Sequence, residues 1–446
     1  MQELLKKLPK IDKFVNLDEF NNYNKKILTK IAKEKIEKLR ADILAKRLDS
    51  FTIEQLIKES KSAYKQLLSP SIKPLINATG VILHTNMGRS LISKEILDRA
   101  SSVICNYSNL EYNQKEGRRG ERYEHVSNHL KTLLDVEDVL VVNNNASAVF
   151  LILNTFAKDK EVIVSRGELV EIGGSFRIPE VMKNSGAILC EVGATNKSKL
   201  GDYECAINEN TSILMKVHKS NYSIEGFSAE VDFSEIKKLA IKYNLLDYYD
   251  LGSGYIPKLP FNLGAKEEPI GNILKSKPSL ISFSGDKLFG SVQAGIIAGK
   301  KELIAKLKKN QLLRMLRVDK ITLSILEETI KAYLEENYKL IPTINMLFTP
   351  LEELEERALN LAKKIPNSKV IQTTTFMGGG TLPNRSFPSV ALHIFGKATT
   401  LERAFRENDI IGRIEDDKFL LDIRTVLPNQ EDYIVEVANK VTKWTM

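Results

Sequence analysis

The segment SLISFSGDKLFGSVQAGIIAG, residues 279–299, decides how this chain folds. A β-rich apolar run ends in Ser284-Gly285-Asp286-Lys287, a glycine-bearing turn follows, and a second short apolar run begins. Short apolar runs bounded by turn residues read as buried strands, which places Lys287 just past a strand end. A free lysine amine has a pKa of ~10.4 and is a poor nucleophile. Held at a strand end beside a cofactor, it can lose its proton and bond to a carbonyl carbon. Most loop lysines do nothing of the kind, so Lys287 read alone says little. A second segment changes that. LLDYYDLGSG, residues 245–254, is another apolar run that ends in an acid and a glycine turn, with Asp250 lying 37 residues before Lys287. This order of a strand-end aspartate and a strand-end lysine suits pyridoxal phosphate. The acid keeps the pyridine nitrogen protonated, and the lysine holds the aldehyde carbon.

Working outward, the chain from about residue 75 alternates short β-branched runs with helical stretches. Strands are expected at Val139–Val142, Glu161–Val164, Ala187–Val192, Ser212–Val217, Leu245–Tyr249, Leu280–Phe283 and Ala294–Ala298. The alternation predicts an α/β fold, a mostly parallel sheet covered by helices on both faces. Ligands in such sheets bind at the carboxyl ends of strands. VVNNNASAVFLILNTF, residues 141–156, reads as strand, asparagine cap and apolar helix. The N–H groups at Asn145, Ala146 and Ser147 would face a phosphate at that helix start, with Asn144 beside them, although asparagine caps are common without one.

Composition sets the bounds. The 446 residues exceed one hydrophobic core, and 43% apolar with 27% charged content is that of an ordinary globular protein. Cys105, Cys190 and Cys205 are too few and too scattered for a disulfide framework or a zinc cluster, which suits a reducing cytoplasm. His125 and His129 lie four apart but have no acid-rich partner motif, so no metal is expected. No apolar run approaches the ~20 residues of a membrane span, and MQELLKKLPKID lacks a signal-peptide core.

The charge is uneven. Residues 1–66 hold 16 Lys plus Arg against 10 Asp plus Glu, about +6 of the chain's net +8, and contain no glycine. Apolar residues recur at helical spacing in Leu28-Ala32-Ile36-Leu39-Ile43 and Leu44-Leu48-Phe51, which predicts a small helical domain with a basic face. That face is either a solvated surface or a site for a phosphate-rich partner such as RNA. A linker is expected near Ser69-Pro70-Ser71. A larger domain then spans 67–338, closing with a helical stretch from Lys301 to about Tyr338, and a small α+β domain spans 339–446. In the latter, strands are expected at Lys369–Thr373, Val390–His393 and Phe419–Leu421, helices at Thr400–Asn408 and Asp432–Trp444, and a flexible connector at Gly378-Gly379-Gly380.

A set of longer motifs runs through the chain in order: INATGVILHTNMGRS (76–90), YSNLEYNQKEGRRGERY (107–123), VVNNNASAV (141–149), SRGELVEIGGSFRIP (165–179), EVGATN (191–196), VHKSNYSIEGF (217–227), DLGSG (250–254), SGDKLFGSVQAGII (284–297), LLRMLRVDK (312–320) and GGGTLP (378–383). On these the chain closely resembles the bacterial selenocysteine synthases, the L-seryl-tRNA(Sec) selenium transferases, which are fold-type I pyridoxal phosphate enzymes. The resemblance covers nearly all of the chain from residue 70 onward. The first 66 residues match mainly in helicity and basic character. One departure is Gly290-Ser291-Val292, where the family usually has Gly-Gly-Pro.

The resemblance implies Lys287 as the cofactor-bearing lysine and Asp250 as the partner of the ring nitrogen. It implies that Arg89, Arg314 and Arg317 bind the phosphate of selenophosphate; by residues alone they read as surface ion-pairing arginines. Arg314 and Arg317 are three apart, one helical turn, and so can face one ligand. Arginine suits phosphate because its planar fork binds two oxygens at once. Arg166 and His84 fall in matched motifs near the cofactor, and His84 reads equally as a buried structural histidine. The implied reaction removes water from seryl-tRNA(Sec) to give aminoacrylyl-tRNA, then adds selenium at Cβ to give selenocysteinyl-tRNA. Lys287 takes the Cα proton, and Asp286, kept neutral by burial, is the candidate acid for the departing hydroxide. The family forms homo-oligomers, decameric rings of dimers. The alternative is a related pyridoxal phosphate lyase or aldolase acting on a free small amino acid or sugar acid, for which a basic helical domain would have no use.

Overall fold

The computed structural model describes residues 2–172, 176–224, 226–266 and 269–442. The chain forms two compact units, Met1–Pro74 and Leu75–Met446.

In the first unit, the helices Gln2–Lys6, Ile11–Val15, Lys25–Leu44 and Ile53–Leu68 close around Phe14, Phe20, Leu28, Ala32, Ile36 and Leu56. The two long helices begin at side-chain caps: Asn24 accepts from the Ile27 N–H at 3.2 Å and Thr52 from the Gln55 N–H at 3.1 Å. The spacing Leu28-Ala32-Ile36 lies on the buried face as expected, but Leu44-Leu48-Phe51 is not helical. The helix stops at Leu44, and Lys46 takes a left-handed φ of 57° in the turn that follows. The last helix runs to Leu68, past the expected border at residue 66.

The second unit is built on a seven-stranded sheet: β1 (Asp138–Val142), β2 (Glu161–Ser165), β3 (Ile188–Val192), β4 (Thr211–Val217), β5 (Leu246–Ser253), β6 (Leu280–Ser284) and β7 (Gly295–Gly299). Their order is β1-β7-β6-β5-β4-β2-β3, and only β7 runs antiparallel to its neighbours. This is the expected mostly parallel α/β sheet. Alternate residues of β1, β6 and β7 enter two separate cores: Val139, Val141, Ile281 and Phe283 on one face, Leu140, Val142, Leu280 and Ile297 on the other. Burial on both faces is why these strands read as continuous apolar runs rather than alternating ones.

β5 is longer than Leu245–Tyr249. It continues through Asp250 with an irregularity in its pairing to β6 between Asp250 and Gly252. The helical stretch after Lys301 is broken: helices Lys301–Lys309 and Lys320–Leu334 flank a 3-10 turn at Gln311–Arg314.

A second, antiparallel sheet follows: β8 (Ser368–Gly378), β9 (Thr381–Ile394), β10 (Arg413–Glu415) and β11 (Lys418–Asp422), in the order β8-β9-β11-β10. Helices Leu351–Lys364, Ala398–Glu407 and Glu431–Thr442 supply its core. Lys443 and Trp444, expected in the last helix, lie outside the described residues. Ile76–Asn77 pairs in parallel with Ile410–Ile411, so the start of the expected 67–338 segment packs with the C-terminal sheet. Gly378-Gly379-Gly380 is a fixed hairpin turn rather than a flexible connector. All three glycines have positive φ, and a Cβ on Gly378 would lie 2.3 Å from Val81 Cγ1. The turn holds the loop that carries His84 and Arg89, through the Leu83 N–H to the Met377 carbonyl at 2.7 Å.

Candidate active site

Four backbone hydrogen bonds shape the lysine turn after β6. The Gly285 N–H donates to the Ala294 carbonyl, the Ser291 N–H to the Gly285 carbonyl and the Gly290 N–H to the Lys287 carbonyl, each at 2.8 Å. The Ser90 N–H reaches the Asp286 carbonyl at 3.4 Å. The Leu288 N–H reaches Ser253 Oγ at 3.3 Å, which ties the turn to the end of β5. The Ser291 hydroxyl donates to Thr329 Oγ1 at 2.9 Å and anchors the turn to the helix behind it.

Lys287 is only 5% exposed. Burial pushes its amine below the usual lysine range, and the nearby Arg89 guanidinium adds to the effect, while Asp250 and Asp286 oppose it. The result is an amine biased toward its neutral, nucleophilic form.

Asp250 sits on β5 beside it and is buried as well. Its Oδ1 accepts from Asn145 Nδ2 at 2.8 Å and from the Gly252 N–H at 3.0 Å, and its carbonyl accepts from the His218 N–H at 2.9 Å. Burial raises the carboxyl above its usual range, against the pull of Asn145, Gly252, Lys287 and His218. A buried carboxylate so held is ready for a cationic partner, and a protonated pyridine nitrogen is one.

Asn145 opens the helix Asn145–Phe156 at the end of β1. Asn144 caps it, with its side chain accepting from the Ser147 N–H at 2.8 Å. One of the three N–H groups expected to face a phosphate is therefore occupied by the cap. Those of Asn145 and Ala146 remain at the helix start, where the first amides have no partner within the helix. The Asn145 side chain turns to Asp250, and its Oδ1 is buried with no hydrogen-bond partner among the described residues. A buried lysine, a buried carboxylate and a helix start converge at the carboxyl ends of β1, β5 and β6. This arrangement fits pyridoxal phosphate, which Lys287 and Asp250 could hold.

The expected acid and arginines are placed differently from one another. Asp286 Oδ2 accepts from Arg89 Nη1 at 2.8 Å. Asp286 therefore stands as the acceptor of an ion pair with Arg89, rather than free beside the lysine as the sequence reading placed it. Arg89 itself holds a left-handed φ of 63° in the loop after His84. The ring of His84 has Nδ1 buried with no hydrogen-bond partner among the described residues, and burial lowers its pKa. Arg166 lies past β2, exposed, and pairs with Glu191 at 3.0 Å and with the Gly193 carbonyl. β4 separates its strand from the one that bears Asp250. Arg314 ends the 3-10 turn and is exposed, whereas Arg317 lies beyond it in non-helical chain and pairs with Glu111 at 3.4 Å. The argument from one helical turn therefore fails for this pair. The segment between them still meets the site, because the Asn143 N–H donates to the Leu316 carbonyl at 3.1 Å.

Sequence reasoning missed two carboxylates. Glu168 is buried and accepts from the Val217 N–H at 2.9 Å and from Lys216 at 3.3 Å, which fixes the end of β4 next to His218. Glu111 gathers Arg119, Arg122 and Arg317. Both lie within motifs quoted above, but Lys216 and Val217 for Glu168, and Arg317 for Glu111, arrive from distant segments that no local spacing signals.

The model of the L-seryl-tRNA selenium transferase family matches residues 75–427. The chain belongs to this family. Among its relatives, proteins named L-seryl-tRNA(Sec) selenium transferase are 58% identical in Aliarcobacter butzleri (99% of both chains), 54% in Sulfurimonas denitrificans (98% of this chain, 99% of the relative) and 53% in Campylobacter fetus (98% and 99%). Of solved structures, D-glucosaminate-6-phosphate ammonia-lyase aligns over 86% of this chain and 98% of its own with a TM-score of 0.62 at 18% identity, a likeness of fold. The family match takes in every residue of the site just described. It begins at the first residue of the second compact unit, so the helical N-terminal unit lies outside it.

Among the described residues, no group of three or more His, Cys, Asp and Glu is placed to hold a metal ion, and no helix is long and apolar enough to cross a membrane.

Proposed function

We propose that this chain is an L-seryl-tRNA(Sec) selenium transferase that uses pyridoxal phosphate on Lys287 to replace the seryl hydroxyl of seryl-tRNA(Sec) with selenium from selenophosphate. The observation that carries this reading is the buried Lys287–Asp250 pair at the strand ends, within a chain of this family. The cofactor, when bound, supplies an electron sink that makes the substrate Cα proton acidic.

The protein's own groups divide the remaining work. The Lys287 amine, biased toward its neutral form by burial and by Arg89, is the base for the Cα proton and returns it after selenium has added at Cβ. Asp250, oriented by Asn145 and Gly252, holds a positive charge on its buried oxygens. Asp286 orients Arg89, and Arg89 with Arg314 and Arg317 offers guanidinium donors to the phosphate of the selenium donor. The first unit, with its excess of lysine, binds the tRNA backbone. Assembly as a homo-oligomer in the cytoplasm belongs to the same reading.

An ammonia-lyase acting on a free amino acid or sugar acid is supported only by likeness of fold. The test is to incubate purified protein with pyridoxal phosphate, seryl-tRNA(Sec) and selenophosphate. Selenocysteinyl-tRNA is the expected product. Its absence, with turnover of a free amino or sugar acid instead, would overturn the proposal.

A further inference from the structure

Three arginines converge on one carboxylate at the edge of the site. Glu111 Oε1 lies 2.7 Å from Arg122 and 3.4 Å from Arg317, and Oε2 lies 3.0 Å from Arg119. Arg122 is fixed further by donating to the Val318 carbonyl at 2.7 Å, one residue beyond Arg317. Arg317 and Glu111 are 206 residues apart in sequence, so the cluster is a product of the fold and not of a local turn. The Leu316 carbonyl, one residue before Arg317, is held by the Asn143 N–H, which links the cluster to the end of β1, where Asn145 reaches Asp250. The Tyr123 hydroxyl, next to Arg122, is buried with no hydrogen-bond partner among the described residues. Glu111 is the only carboxylate that Arg317 meets among those residues.

We propose that Glu111 is an internal counter-ion that an incoming phosphate-bearing anion displaces. Its two oxygens stand where two oxygens of a phosphate would sit. Oε1 keeps Arg122 and Arg317, and Oε2 keeps Arg119, aimed at that position without solvent reorganisation when the anion arrives. The exchange also sets selectivity. A ligand with several anionic oxygens can replace Glu111 on more than one guanidinium at once, whereas a monovalent anion such as chloride cannot. This inference rests on the reading of Arg317 as a donor-phosphate residue, and Glu111 adds the competing charge.

The test is equilibrium binding of inorganic phosphate, followed by calorimetry at fixed ionic strength, to wild type, Glu111→Gln, Arg317→Ala and the double variant. Circular dichroism and melting temperature establish that each is folded. Removing the competing charge from three partly exposed pairs predicts binding about tenfold tighter in Glu111→Gln. The double variant should lose that gain. Unchanged or weaker phosphate binding in Glu111→Gln, with Arg317→Ala still weaker than wild type, overturns the displacement while leaving Arg317 as an anion site. Equal binding by all four proteins overturns both.

Discussion

Asn145 Nδ2 stands 2.8 Å from Asp250 Oδ1 and joins the start of one helix to the middle of the central sheet. The bond matters because Asp250 is a carboxylate removed from water, and an uncompensated group of this kind is costly. Replacing Asn145 with Ala removes that donor and leaves the Gly252 N–H. The expected cost is about 1–3 kcal/mol of stability together with a fall in turnover. Urea unfolding and steady-state rates check it; a variant indistinguishable from wild type in both would detach Asn145 from Asp250.

Burial raises the pKa of the Asp250 carboxyl, so the cofactor-free folded protein holds that proton to higher pH than the unfolded chain does. Its stabilising contribution is full below about pH 4 and is lost as pH rises through the raised pKa. Asp250→Asn does not titrate. The stability difference between the two cofactor-free proteins should therefore move in the variant's favour from about pH 4 upward. Unfolding midpoints across a pH series read this, and a difference independent of pH would contradict the desolvation of Asp250.

Arg89 and burial together hold the Lys287 amine below its usual range. Arg89→Gln removes one of the two causes and leaves Asp286 without its partner at 2.8 Å. The amine should keep its proton to higher pH, so the midpoint pH for cofactor capture, read from visible absorbance, should rise. A midpoint that stays in place or falls would show that Arg89 does not act on Lys287.

Much of this architecture was legible. Strands buried on both faces are apolar throughout, so LISFS and DVLVV gave themselves away, and the polar residues after them marked the ligand edge. The hairpin of β8 and β9 was less visible. Lys369–Thr373 and Val390–His393 read as strand, but the prolines in TLPNRSFP argue against strand between them, and the ladder extends because eleven-residue β8 and fourteen-residue β9 pair along their length. Lys287 and Asp250 could be found because each ends a recognisable run. Glu111, Glu168 and the Asn145–Asp250 bond could not, since each depends on where a distant segment arrives.

The N-terminal unit yields a prediction that the structure sharpens. Lys25 is engaged, its Nζ donating to the Val15 carbonyl at 2.6 Å, so neutralising it perturbs the unit itself. Lys26, Lys30 and Lys33 are exposed on the same long helix at spacings of four and three. Changing these three to Gln should weaken seryl-tRNA binding and flatten its salt dependence in proportion to the phosphates that are no longer neutralised. Deleting residues 1–74, the whole compact unit, should abolish that binding while the cofactor spectrum survives. Gel-shift titrations at two salt concentrations measure both, and undiminished affinity after deletion would end the RNA-binding role of this unit.

The account turns on Lys287 as the residue that bears the cofactor. Purified protein loaded with pyridoxal phosphate is reduced with borohydride, digested, and its peptides are weighed by mass spectrometry. The account predicts the cofactor's mass fixed on Lys287, and no fixed mass in Lys287→Ala. Stable label on another lysine, or a variant whose bound-cofactor spectrum equals that of wild type, would contradict it.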